Sequence, residues 1–221
     1  MTSQNEDPLL NMTLGQFKDV AAALGLAGLA NSIKRYTLTT YSQFVDVLYA
    51  DLTEALSIIQ ENPELRQEDE EDRLTIEIVS ILRGMGYNAE HERKVGGHTD
   101  ISVRGRDRFL WIGEAKIHDS YKYIFQGFQQ LCTRYSTGDS GQDCGGLLIY
   151  IPNKNAANVV RTWRKRIENE GIEDLAILDC EERPDMVFYT THKHERSGRT
   201  FKVKHIGVSI YFDPKDHSKA A

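Results

Sequence analysis

Two apolar runs separated by five polar residues constrain the fold of this 221-residue chain more than any other feature. The first run covers residues 100–103 and the second covers residues 109–117. Short apolar runs on either side of a polar, glycine-containing segment are typical of a β-hairpin. We therefore predict two antiparallel strands joined by a turn centred near Asp107.

The register of this hairpin would bring charged side chains together. A turn near residue 107 puts Ile101 opposite Gly113 and Asp100 opposite Glu114. Because side chains alternate between the two faces of a strand, Asp100, Glu114 and Lys116 share one face. The hairpin therefore predicts two carboxylates and one ammonium at a single place.

This combination of side chains has a chemical use. Mg²⁺ or Mn²⁺ prefers oxygen ligands, which Asp100 and Glu114 offer. The metal activates water and stabilises charge on a phosphate, and Lys116 orients that water or neutralises the developing oxyanion. The pattern predicts metal-dependent phosphodiester hydrolysis. The alternative is an exposed polar Glu-x-Lys pair, which the apolar neighbours disfavour.

A predicted helix that begins at Glu71 supplies a third acid. Glu71 precedes Leu74, Ile78 and Leu82 at spacings that place all four on one helix face. Glu77 lies off this face and is the second choice for the third acid. The ordinary alternative for Glu71 is a solvated carboxylate that the helix dipole favours.

A second helix, predicted over residues 120–135, carries glutamines on its polar face. Either Gln130 or Gln126 could reach a phosphate, a metal-bound water or a base. A solvent-facing amide is the alternative for each of them.

The remaining periodicity predicts the fold. Further strands are expected at residues 145–151, 175–178, 186–191 and 200–212, with a helix at 155–169. The order α-β-β-α-β-α-β-β-β predicts an α/β protein with a mixed central β-sheet flanked by helices.

Apolar residues recur at helical spacing from residue 14 to about residue 60, before Pro63 and an acidic run. We predict an α-helical N-terminal segment, residues 1–66, and a catalytic domain, residues 67–221. Three roles stay open for the N-terminal helices: formation of a homo-oligomer, docking of a partner protein, or covering of the sheet.

Composition narrows the class of protein. The chain is 40% hydrophobic and 27% charged, as is ordinary for globular proteins, and it has neither a long apolar run nor an export leader. We predict a cytoplasmic protein without membrane contact. Its three widely spaced cysteines favour reduced thiols over disulfides or a zinc site.

Histidines and basic residues allow two further interpretations. His192 and His194 have no third ligand at suitable spacing, so we interpret them as surface residues of a hairpin. Basic residues cluster in two segments, residues 161–166 and 193–204, which could contact phosphates despite a net charge of −6. The alternative for both segments is a solvated charged surface.

Residues 71 to 212 resemble the PD-(D/E)xK nuclease superfamily, specifically the compact restriction-endonuclease-like domains of bacterial defence genes. The resemblance is carried by the acid at a helix start, Gly-Gly-His-Thr-Asp-Ile, Ile-Gly-Glu-Ala-Lys and a helix with Phe-Gln-Gln-Leu. Two details depart from the family pattern. Gly113 precedes the metal-site glutamate, and the tyrosine after Gln-Leu comes one residue late, at Tyr135.

The resemblance implies an Mg²⁺- or Mn²⁺-dependent endonuclease that cuts DNA rather than RNA, as the effector of a bacterial anti-phage or restriction system. It implies that Asp100, Glu114 and the Ala115 backbone carbonyl bind the metal, that Lys116 aids the attacking water, and that Glu71 and Gln130 support the site. A nuclease acting on RNA or on a particular DNA structure is one alternative, and a catalytically silent module that binds nucleic acid or protein is another. An activating partner protein is compatible with each of these.

Overall fold

The computed structural model describes residues 11–94 and 97–216. Its contacts divide the chain into two compact units, residues 1–49 and 50–221, and the division falls within one long helix. The domain boundary predicted after residue 66 lies further along the chain, beyond the end of that helix.

The first unit contains helices α1 (Leu14–Ala23) and α2 (Ala27–Tyr36) and the beginning of α3 (Tyr41–Glu61). Thr13 caps α1, because its side chain accepts a hydrogen bond from the Gln16 backbone N–H. In turn, the Gln16 side chain accepts a hydrogen bond from the Thr13 backbone N–H. The same arrangement starts α3, where Thr40 Oγ1 accepts from the Gln43 backbone N–H at 3.2 Å. The helical spacing read from the sequence is confirmed.

The second unit holds the rest of α3, a short 3₁₀ turn and an alternation of strands and helices. Its elements are α4 (Glu71–Gly84), β1 (Asn88–Glu90), β2 (Arg93–Lys94), β3 (His98–Thr99), β4 (Ile101–Arg104), β5 (Leu110–Ile117), α5 (Tyr121–Gln129), β6 (Cys144–Ile151), α6 (Ala156–Ile167), β7 (Ala176–Asp179), β8 (Val187–Lys193) and β9 (Thr200–Ser209). A single π-helical turn, Gln130–Tyr135, extends α5.

Seven of these strands form one mixed sheet, in the order β1-β4-β5-β6-β9-β8-β7. The central strands β5, β6 and β9 are parallel, and the other neighbours are antiparallel. Strands β2 and β3 form a separate two-stranded ribbon. The predicted α/β fold with a mixed sheet flanked by helices is confirmed, while β1 and the ribbon are additions that the sequence pattern did not predict.

The hairpin register is confirmed residue by residue. Ile101 pairs with Gly113, and Val103 pairs with Trp111. Gly113 is required at its position because a Cβ atom there would lie 2.7 Å from the Trp111 indole. Gly146, its neighbour on β6, lies under the same indole. The glycine before Glu114 is therefore explained by close packing on the far side of the sheet.

The two sheet faces pack against different helices. One face shares an apolar cluster with α5 and α6, to which Ile112, Ile149, Phe128 and Trp163 belong. Against α4, the buried Tyr150 hydroxyl lies 3.1 Å from Thr75 Oγ1. Side chains alternate along a strand, and Ile112 faces α5 and α6. The side chains of Glu114 and Lys116, two and four residues later on β5, therefore also lie beneath that helical layer.

The interpretation of His192 and His194 as surface residues is wrong. His192 is 5% exposed and His194 is 1% exposed. The ring of His192 packs between Phe128 and Phe201, and His194 Nε2 lies 2.8 Å from Ser136 Oγ. Strand β8 is covered by the helical layer at this point, so side chains that would be exposed on an isolated hairpin become part of the core.

Cys132, Cys144 and Cys180 form no disulfide with one another, and Cys132 and Cys180 are buried whereas Cys144 is partly buried. In the part of the chain that the structure describes, no helix has both the length and the hydrophobicity that a membrane crossing requires.

Candidate active site

Asp100 is fixed at the start of strand β4 by the neighbouring strand. Its Oδ2 atom accepts a hydrogen bond of 2.8 Å from the backbone N–H of Ala115. This contact anchors the carboxylate beside the end of β5, while 20% of the side chain stays exposed. The structure therefore brings Asp100 to the strand that carries Glu114 and Lys116.

Lys116 is the centre of the charged cluster. Its Nζ atom lies 2.8 Å from Glu114 Oε1, 3.1 Å from Glu71 Oε1 and 3.6 Å from Asp100 Oδ2. It also donates a hydrogen bond of 2.8 Å to the Ala115 carbonyl. One ammonium thus contacts all three predicted acids and the predicted carbonyl ligand.

Glu71 reaches the cluster from the first turn of α4. Besides its contact with Lys116, it accepts a hydrogen bond of 2.8 Å from the Ile117 backbone N–H through Oε2. Glu77 is held elsewhere, because Arg66 donates to both of its oxygens at 2.6 and 2.7 Å. Of the two candidate acids, Glu71 therefore lies in the cluster and Glu77 does not.

Helix α5 covers the cluster through a glycine. A Cβ atom at Gly127 would lie 2.8 Å from Lys116 Cγ and 3.4 Å from Glu114 Cγ. One turn before it, the Tyr123 hydroxyl lies 3.4 Å from both carboxylate oxygens of Glu71. Both residues were missed by sequence reasoning, although a glycine within the apolar periodicity of a helix was the available signal.

The two candidate glutamines, Gln126 and Gln130, differ in their positions at α5. Gln130 lies three residues after Gly127, on the same side of α5, and is half-buried, whereas Gln126 is exposed. The π-helical turn starts at Gln130 and ends at Tyr135, whose ring is buried. A π-bulge accommodates one extra residue in a helical turn, and such bulges are frequent at functional sites.

Tyr135 also restricts the glycine-rich segment before Asp100. A Cβ atom at Gly97 would come within 2.6 Å of the Tyr135 ring. Burial raises the pKa of the tyrosine hydroxyl, and the nearby Glu114 carboxylate adds to the effect. Tyr135 therefore packs close enough to the cluster to interact with its charge.

The electrostatics of the site are dominated by burial of Glu114. Desolvation, reinforced by the negative charge of Asp100, raises the pKa of Glu114 to about 8, although Lys116 opposes the shift. Desolvation disfavours the Lys116 ammonium, but the carboxylates of Glu114, Asp100 and Glu71 outweigh it and raise its pKa. Above the pKa of Glu114 three carboxylates face one ammonium, so the cluster then carries a net negative charge.

These residues fit a divalent cation by their chemistry. Asp100, Glu114 and the Ala115 carbonyl offer the hard oxygen ligands that Mg²⁺ prefers. The Glu114 Oε2 atom is buried without a hydrogen-bond partner, so it has an unfilled acceptor position. Within residues 11–94 and 97–216, however, no three His, Cys, Asp or Glu side chains are already arranged around a metal position.

The basic clusters are partly neutralised by their neighbours. On α6, Arg164 pairs with Asp179 and Arg161 lies 3.6 Å from Asp185. In the C-terminal hairpin, Lys193 lies 2.7 Å from Glu173. The positive charges of these three residues are balanced by neighbouring acids. They therefore give no support to the hypothesis that these segments contact phosphates.

No family model, curated protein or solved structure matches this chain. The resemblance to PD-(D/E)xK nucleases accordingly stays a prediction, carried by the residues of the cluster described above.

Proposed function

We propose that this protein is a metal-dependent phosphodiesterase that acts as an endonuclease on DNA. The observation that supports the proposal is the convergence of Glu71, Asp100 and Glu114 on the buried Lys116 ammonium. Such a cluster is costly to bury, because each charge loses hydration. Its position at the end of a central strand, with Glu71, Asp100 and Tyr123 still partly exposed, gives a substrate access to it.

The roles of the residues follow from their contacts. Asp100, Glu114 and the Ala115 carbonyl would hold Mg²⁺ or Mn²⁺, which would supply Lewis-acid stabilisation of charge on the scissile phosphate. An acidic cluster repels a phosphodiester, so a bound cation would be needed before the substrate can approach.

Lys116 would donate hydrogen bonds to the attacking water or to the phosphate oxygen that gains charge. Glu71 is a positioning residue, since it holds the Lys116 ammonium and the Ile117 backbone N–H at the same time. Tyr123 extends this arrangement by donating to Glu71. Gln130 lies on the covering side of α5, where it would contact the substrate or its water.

The preference for DNA and the role in a bacterial anti-phage or restriction system rest on the resemblance alone. An RNA or a particular DNA structure would satisfy the same chemistry, because the cluster recognises a phosphodiester and not a base.

The first test is cleavage of supercoiled plasmid, linear duplex DNA, single-stranded DNA and RNA in Mg²⁺, in Mn²⁺ and in EDTA. The variants are Asp100→Asn and Lys116→Met, with Glu70→Gln as the matched control, because Glu70 is an exposed acid next to Glu71. We expect cleavage that requires metal, persists in the control and is lost in both site variants. Cleavage that is equal in all four proteins would overturn the assignment.

A catalytically silent binding module is the second candidate. Two observations favour it: Lys116 already balances part of the acidic charge, and the described residues contain no preformed metal geometry. Titration of Mn²⁺ into the wild type and into Asp100→Asn, followed by calorimetry, separates the two candidates. Binding that is lost in the variant supports the nuclease, and the absence of binding in both proteins supports the silent module.

A further inference from the structure

A cavity lies on the opposite side of α5 from the candidate active site. It has a volume of about 250 Å³. Phe125, Phe128 and Cys132 line it, whereas Tyr123 and Gly127 face the charged cluster. The cavity is therefore separate from the site described above, and a ligand in it would not touch the acids around Lys116.

The floor of the cavity is aromatic. The rings of Phe125 and Phe128 are nearly parallel, with an interplanar angle of 13° and a centroid separation of 6.2 Å. The Phe128 ring also contacts His192, at a centroid distance of 5.4 Å. Aromatic faces of this kind attract cations, and planar guanidinium groups stack on them particularly well.

The rim of the cavity is acidic. Glu170, Glu173 and Glu195 line it together with a single cation, Lys193. Lys193 is paired with Glu173 at 2.7 Å, and within the described residues neither Glu170 nor Glu195 has an ion-pair partner. An exposed ion pair is weak, so the Lys193 side chain can swing aside without a large cost. The charge of the rim therefore complements a positively charged ligand.

A buried histidine points independently to a ligand. His192 lines the cavity and is 5% exposed, and its Nδ1 atom has no hydrogen-bond partner in the described part of the chain. Buried polar atoms without partners are rare, and each one calls for a structural or functional reason. The Nδ1 atom is itself shielded from solvent, and a small turn of the ring towards the cavity would offer its acceptor nitrogen to a ligand that donates N–H groups.

We propose that this cavity binds an organic cation of the guanidinium class, stacked on the partly exposed Phe125 ring and held by the Glu170 and Glu195 carboxylates. The cation is either an arginine side chain of a peptide or a free small molecule. Lysine-like ammonium groups would bind more weakly, because they lack the planar surface that the aromatic floor accepts. This proposal does not depend on nuclease activity.

Calorimetry and ligand-observed NMR with the full chain test the proposal. The probes are a capped Ala-Arg-Ala peptide, the same peptide with citrulline in place of arginine, and free agmatine. Citrulline keeps the shape of arginine and removes its charge. We expect saturable binding of a guanidinium probe that is at least about tenfold tighter than binding of the citrulline peptide.

Glu170→Gln and Glu195→Gln should each weaken guanidinium binding about threefold, and the double variant about tenfold. Both side chains are exposed, so these variants should fold normally. Glu181→Gln is the control, because Glu181 is an exposed acid that does not line the cavity. Binding of agmatine without the peptide indicates a small molecule, and binding of the peptide indicates a protein side chain. The proposal is overturned if no guanidinium probe saturates, if citrulline binds equally well, or if the double variant binds like the wild type.

Discussion

The Lys116 ammonium lies 2.8 Å from Glu114 Oε1, and the two side chains are only 7% and 2% exposed. A buried ion pair holds two charges away from water, so each charge depends on the other. The second carboxylate oxygen of Glu114 is buried without a hydrogen-bond partner, which adds to the cost of burying this side chain. This relationship makes the centre of the site a place where changes in charge have large effects on both stability and function.

Removal of one member of this pair should therefore destabilise the fold more than removal of both. We expect Lys116→Met to lower the free energy of unfolding by about 3–5 kcal/mol where Glu114 is ionised, because it leaves that buried carboxylate without its counter-ion. The double variant with Glu114→Gln should recover part of that loss. Urea denaturation at pH 9, above the Glu114 pKa of about 8, measures both values, and equal stability of the single variant and the wild type would contradict the buried pair.

Glu71 should matter for activity through Lys116. In Glu71→Gln the side chain loses the charge that faces Lys116 Nζ at 3.1 Å, so the ammonium loses part of its positioning. We expect cleavage to fall by about 10- to 100-fold, as for other residues that orient groups around a metal. The adjacent exposed acid in Glu70→Gln is the control and should retain activity. Similar activities in these two variants would remove Glu71 from the site.

Glycine at position 127 should be required for the approach of α5. Alanine would improve helix propensity by about 1 kcal/mol, but its Cβ atom would lie 2.8 Å from Lys116 Cγ. We expect Gly127→Ala to be destabilising, with reduced cleavage. Gly84→Ala is the matched control, since no atom lies within 4 Å of its Cβ position. That variant should be neutral or slightly stabilising in thermal unfolding, and the same result for both variants would contradict the close packing.

Stability should fall in mild acid because of buried histidines. Burial, reinforced by His194, lowers the pKa of His192 to about 4, and burial, reinforced by His192, lowers the pKa of His205 to about 3. Trp163 Nε1 donates to His205 Nδ1, so its Nε2 carries the proton and donates to Thr190 Oγ1 at 2.9 Å. The folded state thus keeps a neutral His205 ring, which stacks on Phe188.

In the unfolded chain these histidines regain a pKa of about 6.5 and bind protons first as the pH falls. The stabilisation is therefore complete above pH 6.5 and is lost progressively between pH 6.5 and the folded pKa values. For His205 alone the loss is about 2 kcal/mol at pH 5. His205→Gln should flatten the dependence of the unfolding free energy on pH, measured by denaturation from pH 8 to pH 5. An unchanged slope would show that His205 is not neutral in the folded state.

Local patterns predicted the site well where the residues involved are near one another in sequence. The hairpin register follows from alternation across a short turn, and Ile101 pairs with Gly113 as predicted. The face of α4 that carries Glu71 follows from helical periodicity, because Leu74 and Ile78 are buried on it. The contact between Glu71 and Lys116, however, depends on the packing of α4 against the sheet.

Contacts between distant segments were beyond any local pattern. The pairing of Arg66 with Glu77, the burial of His192 and the cover of Lys116 by Gly127 depend on how helices pack on the sheet. The π-helical turn that places Tyr135 against Gly97 also has no marker in residue spacing.

The sequence by itself determined the order of the helices and main strands from α4 onward, the hairpin and the set of acids around Glu-Ala-Lys, because alternation and helical periodicity act over a few residues. Only the tertiary structure decided which acid joins Lys116 and which polar residues are buried. Burial and ion pairing are properties of the assembled layers, in which a side chain meets partners that lie far away along the chain.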